Sequence, residues 1–97
     1  MKVYLSGKIS GVEITEAQNK FAEAEKLIRC KFGYDVINPL KLPHDHGHTW
    51  EEYLKEDIKA MLTCDSIYML SDWEISRGAT VEYNLAKELN FHFLNFK

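Results

Sequence analysis

Apolar residues along the chain alternate between short continuous runs and stripes with helical spacing. The first run, residues 3–5, stops at Ser6-Gly7 as a buried strand stops at a turn. A helical stripe then runs from a capping-box pattern at Thr15 to Gly33, a natural C-terminal cap. Its apolar members are Ala17, Phe21, Ala24, Leu27 and Ile28. The pattern therefore predicts a strand followed by a long amphipathic helix.

The rest of the chain repeats this order of strand and helix. Residues 34–37 predict a second strand, which Asn38-Pro39 ends because proline cannot donate to a ladder. A second capping box at Thr49 predicts a helix to about Leu62. The later predicted elements are a strand over 66–70, a helix over 76–89 and a strand over 91–96.

Strands separated by helices of this length pair in parallel through right-handed crossovers. The sequence thus predicts one α/β domain over 1–97, a three-layer doubly wound sandwich, flavodoxin-like or Rossmann-like, with about four parallel strands. Ligands of such sheets bind beyond the carboxyl ends of the strands. The segments to search are 6–11, 38–48 and 71–78, and the second of them begins with Asn38.

Composition and charge exclude several classes of function. The 97 residues are 45% hydrophobic and 28% charged, as in ordinary soluble globular proteins. The net charge of −3 and the scattered basic residues argue against a partner of duplex nucleic acid. We find no signal-peptide pattern and no apolar stretch near the roughly 20 residues of a membrane span. We therefore expect a cytoplasmic protein without a membrane partner.

Size and cysteine content add two further expectations. A domain this small gains burial by self-association, so we expect a homo-oligomer. The two cysteines, Cys30 and Cys64, form neither a disulfide framework nor a zinc motif, and we expect two reduced, mostly buried thiols. The sequence indicates no cofactor.

Two acidic residues fall where apolar residues are expected. Counting about 100° per residue places Asp57 near the middle of the apolar arc of the second helix and Glu82 inside that of the third. The first arc comprises Trp50, Tyr53, Leu54, Ile58, Met61 and Leu62. The second comprises Gly78, Ala79, Val81, Leu85, Ala86 and Leu89.

A carboxylate aimed at a core costs several kcal/mol unless it is paired or lines a cavity. Either the two are structural acids, satisfied by backbone amides or a lysine, or both line one polar pocket. Glu82 lies in the first two turns of its helix, where the dipole favours the ionised form and suits a nucleophile. A more enclosed Asp57 would be held protonated as an acid.

Three segments together resemble the nucleoside 2-deoxyribosyltransferase superfamily, in order along nearly the whole chain. They are Tyr4-Leu5-Ser6-Gly7-Lys8-Ile9-Ser10-Gly11, then Asp57 ahead of Cys64-Asp65, and Ser76-Arg77-Gly78-Ala79-Thr80-Val81-Glu82. With its short length and its Asp72-Trp73 segment, the chain looks closest to a short bacterial and phage branch.

The resemblance implies a reaction at a deoxyribose. Glu82 would attack the anomeric carbon, and Asp57 would protonate the leaving base. Water or a second base would then resolve the deoxyribosyl ester. The turn over residues 6–11 would hold sugar or phosphate with its backbone N–H groups, and the helix start, including Gly78 and Ala79, would also contact substrate.

Ser76 distinguishes two branches of that superfamily. Classical transferases carry an aspartate at this position. A serine here is similar to the branch that hydrolyses 2′-deoxynucleoside 5′-monophosphates, in which the serine contacts the phosphate. That branch has an arginine where this chain has Ser10, so Lys8 or Arg77 would have to replace it. The hypotheses are therefore an enzyme acting on the N-glycosidic bond of a deoxynucleoside or its monophosphate, or a nucleotide-binding module without turnover.

Other residues admit two interpretations each. The loop His44-Asp45-His46-Gly47-His48 could bind a transition metal, with a metal-dependent hydrolase as a distant third function, but we favour a solvated loop. Trp73 is either a base-stacking platform or a lid on the core. Tyr4 either touches the sugar or fills the sheet, and we slightly favour packing.

Overall fold

The chain folds into strands and helices in the order that the sequence predicts. The computed structural model describes residues 1–43, 47 and 49–94. Its elements are β1 (Lys2–Ser6), α1 (Ile14–Phe32), β2 (Asp35–Ile37), α2 (Trp50–Met61), β3 (Ser66–Met69), α3 (Arg77–Glu88) and β4 (His92–Phe93). Short 3-10 helices cover Pro39–Lys41 and Trp73–Ile75.

All strand pairs are parallel, and the sheet has the order β2-β1-β3-β4. The chain therefore moves from β1 to one edge and then crosses back to β3 on the other side of β1. This is the flavodoxin-like order, whose switch point lies between the first and third strands. The predicted α/β class and small parallel sheet are confirmed.

Side chains of β1 alternate between two apolar layers. Val3 and Leu5 pack in a cluster with Phe21 of α1. Tyr4 packs on the opposite face in a cluster that contains Met61 of α2. That second cluster also contains Ala79 and Ala86 of α3. Because every second residue of a strand shares a face, Tyr4 and Ser6 both point toward the layer of α2 and α3.

The helix starts show which caps form. Thr49 and Glu52 make both bonds of a capping box, which confirms that start. The box predicted at Thr15 is wrong: α1 begins earlier, and the Glu13 carboxylate accepts the Glu16 N–H at 3.0 Å. Glu13 is therefore the N-cap, and it accepts from the amide three residues later, as the prediction had Thr15 do. Thr15 lies inside the first turn of the helix.

The buried face of α1 is rotated from the predicted stripe. Leu27 is 49% exposed, whereas Glu25 is only 8% exposed. Glu25 takes the inward position because a neighbouring turn supplies its polar partners, as described below. Exposed apolar side chains also occur at three positions predicted to face inward, Leu62, Val81 and Leu89. Leu62 and Leu89 are C-cap residues, beyond the last turns of α2 and α3.

Smaller departures concern one cysteine and one strand. Cys64 is buried and Cys30 is exposed, so the expectation of two buried thiols is wrong for Cys30; both are free thiols. The last strand covers only His92–Phe93, and residues 95–97 of its predicted range lie outside the described residues. Among the helices described, none combines the length and apolar character that crossing a bilayer requires.

Candidate active site

A cavity of about 540 Å³ opens at the carboxyl end of β1, beside the switch point of the sheet. This volume falls within the roughly 300–1,000 Å³ of small-molecule sites. Most of the residues predicted for the site line it: Tyr4, Gly7, Lys8, Ile9, Ser10, Asp57, Ser76, Gly78, Ala79 and Glu82. The two helical arcs thus bring both acids to one cavity.

Glu82 lies at the wall of the cavity and is held by two hydroxyl groups of β1. The Tyr4 hydroxyl donates to Glu82 Oε2 at 2.7 Å, and Ser6 Oγ donates to Oε1 at 2.7 Å. Each carboxylate oxygen therefore accepts one short bond, and the plane of the carboxylate is fixed. Glu82 itself is only 5% exposed.

The electrostatic environment raises the pKa of Glu82 to about 7. Burial is the largest cause, because it removes water from the charged form. The hydrogen bonds from Ser6 and Tyr4 oppose it, and the nearby charge of Asp57 adds to it. Burial and the charge of Glu82 in turn raise the pKa of Tyr4 well above its ordinary value.

Asp57 is the more accessible of the two acids. It is half-buried, although its Oδ1 atom is enclosed, and its charge acts on both Glu82 and Tyr4. The sequence led us to expect the opposite order of enclosure. The reason is that α3 holds Glu82 against Tyr4 and Ser6 of β1, whereas Asp57 lines the cavity from α2.

The loop after β1 is fixed by an acid outside the predicted set. Asp72 Oδ1 accepts the Lys8 N–H at 3.1 Å, and its Oδ2 pairs with Lys20 Nζ at 3.2 Å. Asp72 thus occupies one of the N–H groups that the sequence predicts for ligand binding. Gly7 has no room for a side chain, since a Cβ there would lie 2.8 Å from Leu70 Cβ.

The start of α3 forms the other side of the cavity mouth. Ser76 is the N-cap, and its Oγ accepts the Ala79 N–H at 3.1 Å. Arg77 and Gly78 are the first two residues of α3, and their N–H groups have no acceptor within the helix. The Arg77 guanidinium lies 4.1 Å from the centre of the Trp50 ring, so a cation stands at the mouth.

Several cavity residues were missed because apolar side chains were assigned to the core. Trp50, Tyr53 and Leu54 of α2 line the cavity, and so do Pro39 and Leu40 after β2. The available signal was the position of Asp57: an acid in the middle of an apolar arc implies that its neighbours face the same opening.

Three predicted residues do not line the cavity. Ser6 lies behind it and acts on Glu82. The Asn38 amide is used within its own turn and by Glu25. Trp73 stacks on Tyr83 with ring centres 4.4 Å apart and packs on the α2–α3 cluster, which favours its interpretation as a lid on the core.

The candidate metal-binding loop over residues 44–48 lies largely outside the described residues. His44, Asp45, His46 and His48 lie outside the described residues. Among the residues that are described, no group of three or more His, Cys, Asp or Glu side chains could hold a metal ion.

Fold and site together define a small three-layer α/β domain with a paired-carboxylate cavity at the switch point of a parallel sheet. The chain belongs to the family DUF4406, a domain of unknown function, whose model matches residues 1–95. No curated protein and no solved structure matches the chain.

Proposed function

We propose that this chain cleaves, or transfers at, the N-glycosidic bond of a 2′-deoxynucleoside or its 5′-monophosphate. Glu82 is the nucleophile and Asp57 the acid. The observation that carries the proposal is the Glu82 carboxylate, fixed by two hydroxyl groups at the wall of a cavity that Asp57 also lines.

A structural role explains Glu82 less well. Buried structural carboxylates are usually matched by a cation, which offsets the loss of hydration. Among the described residues, the hydrogen-bond partners of Glu82 are hydroxyl groups, which orient the carboxylate but leave its charge in place. A buried acid with a raised pKa in a cavity is typical of catalytic sites.

The proposed reaction has two steps. An oxygen of ionised Glu82 bonds to the anomeric carbon while the bond to the base nitrogen breaks and its electron pair leaves with the base. Asp57 supplies the proton that the departing base takes up, so the reactive state of the pair is the one in which Asp57 holds the proton and Glu82 is ionised. Water or a second base then attacks the anomeric carbon, Asp57 recovers a proton, and Glu82 is released as a carboxylate.

The lining of the cavity supports a nucleoside as ligand. The rings of Trp50 and Tyr53, with Leu54, provide an apolar wall on which a base can pack. Ser10 and Ser76 supply hydroxyl groups at the other side. With Lys8 and the amides of the α3 start nearby, this side suits a sugar or a 5′-phosphate.

Glu82→Ala tests the proposal, with Glu88→Ala on the exposed face of the same helix as its control. Each protein is incubated with a panel of 2′-deoxynucleosides and their monophosphates, and free base is measured by chromatography. We expect wild type and Glu88→Ala to release base and Glu82→Ala to release none. Mass spectrometry of quenched wild type should show a deoxyribosyl adduct on the peptide that contains Glu82.

An unchanged rate in Glu82→Ala contradicts a nucleophilic role. A wild type that binds nucleotides and never releases base supports the second candidate, a nucleotide-binding module. Ser10 stands where the branch that the sequence resembles has an arginine, and this difference favours the binding module over an enzyme.

Two expectations from the sequence belong to the same proposal, a cytoplasmic location and a homo-oligomer. Exposed apolar side chains on α3 and at the end of α2, such as Val81, Leu89 and Leu62, support self-association. Light scattering on the purified protein measures the oligomeric state directly.

A further inference from the structure

We infer that Glu25 is a positioning residue of the cavity, which fixes the wall formed by Pro39 and Leu40. Its expected effect on substrate rests on the proposed function. The contacts that hold this wall are independent of the proposed function.

Glu25 is a buried acid on α1, on the face of the sheet opposite Glu82. Its Oε1 accepts Asn38 Nδ2 at 3.2 Å and pairs with Lys41 Nζ at 3.0 Å. Its Oε2 pairs with Arg29 Nε at 2.9 Å. One carboxylate therefore joins the helix to both ends of the turn that follows β2.

Stability alone does not account for this cluster. The Lys41 and Arg29 side chains are 67% and 47% exposed, and ion pairs with such exposed cations contribute little. The well-enclosed partner is Asn38, which is 6% exposed. The cluster thus fixes a geometry more than it adds to the free energy of unfolding.

Asn38 transmits that geometry to the cavity. Its Oδ1 accepts the Leu40 N–H at 3.0 Å, and its backbone oxygen accepts the Lys41 N–H at 2.9 Å. Pro39 and Leu40, between these bonds, line the cavity. Glu25 holds the Asn38 amide in the orientation that leaves Oδ1 facing Leu40, and so it sets where this wall stands.

The test compares Glu25→Ala and Glu25→Gln with Glu23→Ala, an exposed acid on the same helix. Hydrogen exchange measured by NMR reports the turn directly. We expect faster exchange of the Leu40 and Lys41 amides in Glu25→Ala, a smaller change in Glu25→Gln, which keeps an acceptor for Asn38, and none in the control. Should Glu25→Ala not fold, Glu25→Gln decides alone.

Kinetics of base release then separate positioning from a merely structural role. We expect Glu25→Ala to raise KM by about threefold to tenfold, the range that one net hydrogen bond spans, with kcat unchanged. Exchange that rises uniformly along the chain, or a fall in kcat with KM unchanged, would overturn the inference.

Failure of the proposed function looks different, because wild type and Glu23→Ala would then release no base either. The dissociation constant of 2′-deoxyadenosine 5′-monophosphate, measured by calorimetry, replaces KM in that case. Faster exchange at Leu40 with weaker binding supports the inference, and unchanged or undetectable binding overturns it.

Discussion

Tyr4 and Glu82 control each other's charge. The Tyr4 hydroxyl donates a 2.7 Å bond to Glu82 Oε2, and this bond lowers the pKa of Glu82 against the larger effect of burial. The charge of Glu82 in turn helps to hold the pKa of Tyr4 well above its ordinary value. The pair therefore stays a neutral phenol and an ionisable carboxyl group across the physiological range.

Replacing Tyr4 by phenylalanine should raise the pKa of Glu82 above about 7, because one bond to the ionised form is lost. Carbon NMR of the glutamate carboxyl groups during a pH titration measures this value. Tyr68→Phe, on the opposite face of the sheet, is the control and should leave it unchanged. An unaltered pKa in Tyr4→Phe would show that the bond does not form in solution.

Base release should depend on the ionisation of Glu82. Because only ionised Glu82 can attack the anomeric carbon and only protonated Asp57 can protonate the base, kcat/KM should pass through a maximum, with the limb that reports Glu82 near pH 7. Tyr4→Phe should move that limb to higher pH. A profile without a limb near pH 7, or one that Tyr4→Phe leaves in place, would contradict this dependence on Glu82.

Glu82→Gln should stabilise the protein at pH 8. The folded state raises the pKa of Glu82 from 4.5 to about 7, so ionisation above pH 7 costs roughly 3 kcal/mol of folding free energy. This cost is absent below pH 4.5 and grows as pH rises to 7. Urea unfolding of both proteins at pH 8 and pH 4 should show a gain that shrinks at the lower pH. An equal difference at both values would place its origin outside this ionisation.

Two glycines of the cavity should respond differently to an added methyl group. Gly7→Ala should destabilise the domain by about 1–3 kcal/mol, because the new Cβ lies 2.8 Å from Leu70 Cβ. At Gly78 the nearest atoms, on Leu54 and Trp50, are 3.8 Å away, so Gly78→Ala should fold and lose no stability. Thermal unfolding compares the pair, and similar melting temperatures would contradict the close approach at Gly7.

Inorganic phosphate should bind where the β1 loop meets α3. Amide shifts in an NMR titration should concentrate at Ser10, Arg77 and Gly78, since N–H groups without helical partners converge there. The Lys8 amide should respond less because Asp72 already accepts its bond. Shifts confined to residues 44–48 would contradict this site.

Hydrophobic periodicity was sufficient to predict the architecture and to bring Asp57 and Glu82 together. Helix and strand periods are strong over the long segments, and parallel pairing follows from helical connections. The same counting placed Leu27 inward and overlooked Glu25. Glu25 faces inward because Asn38 and Lys41 bind its carboxylate. Both lie in another part of the chain, so the apolar spacing of α1 does not indicate them.

The order of burial of the two acids could not be predicted either. Periodicity predicts the direction in which a side chain points, but it does not predict what fraction of that side chain stays exposed. Glu82 is enclosed because Tyr4 and Ser6 lie directly beneath α3, a consequence of strand register. Similarly, Trp50 and Tyr53 have core-like spacing, and only the tertiary arrangement leaves a cavity beside them.

The bonds from Tyr4 and Ser6 to Glu82 join positions 78 and 76 residues apart in the sequence. During synthesis, the pocket can therefore form only after α3 has emerged from the ribosome, when most of the sheet is already available. Until then Tyr4 is an ordinary strand tyrosine. A nascent chain or an N-terminal fragment would carry the apolar layer of α1 without any capacity to bind or react, so chemistry at this site is restricted to the completed fold.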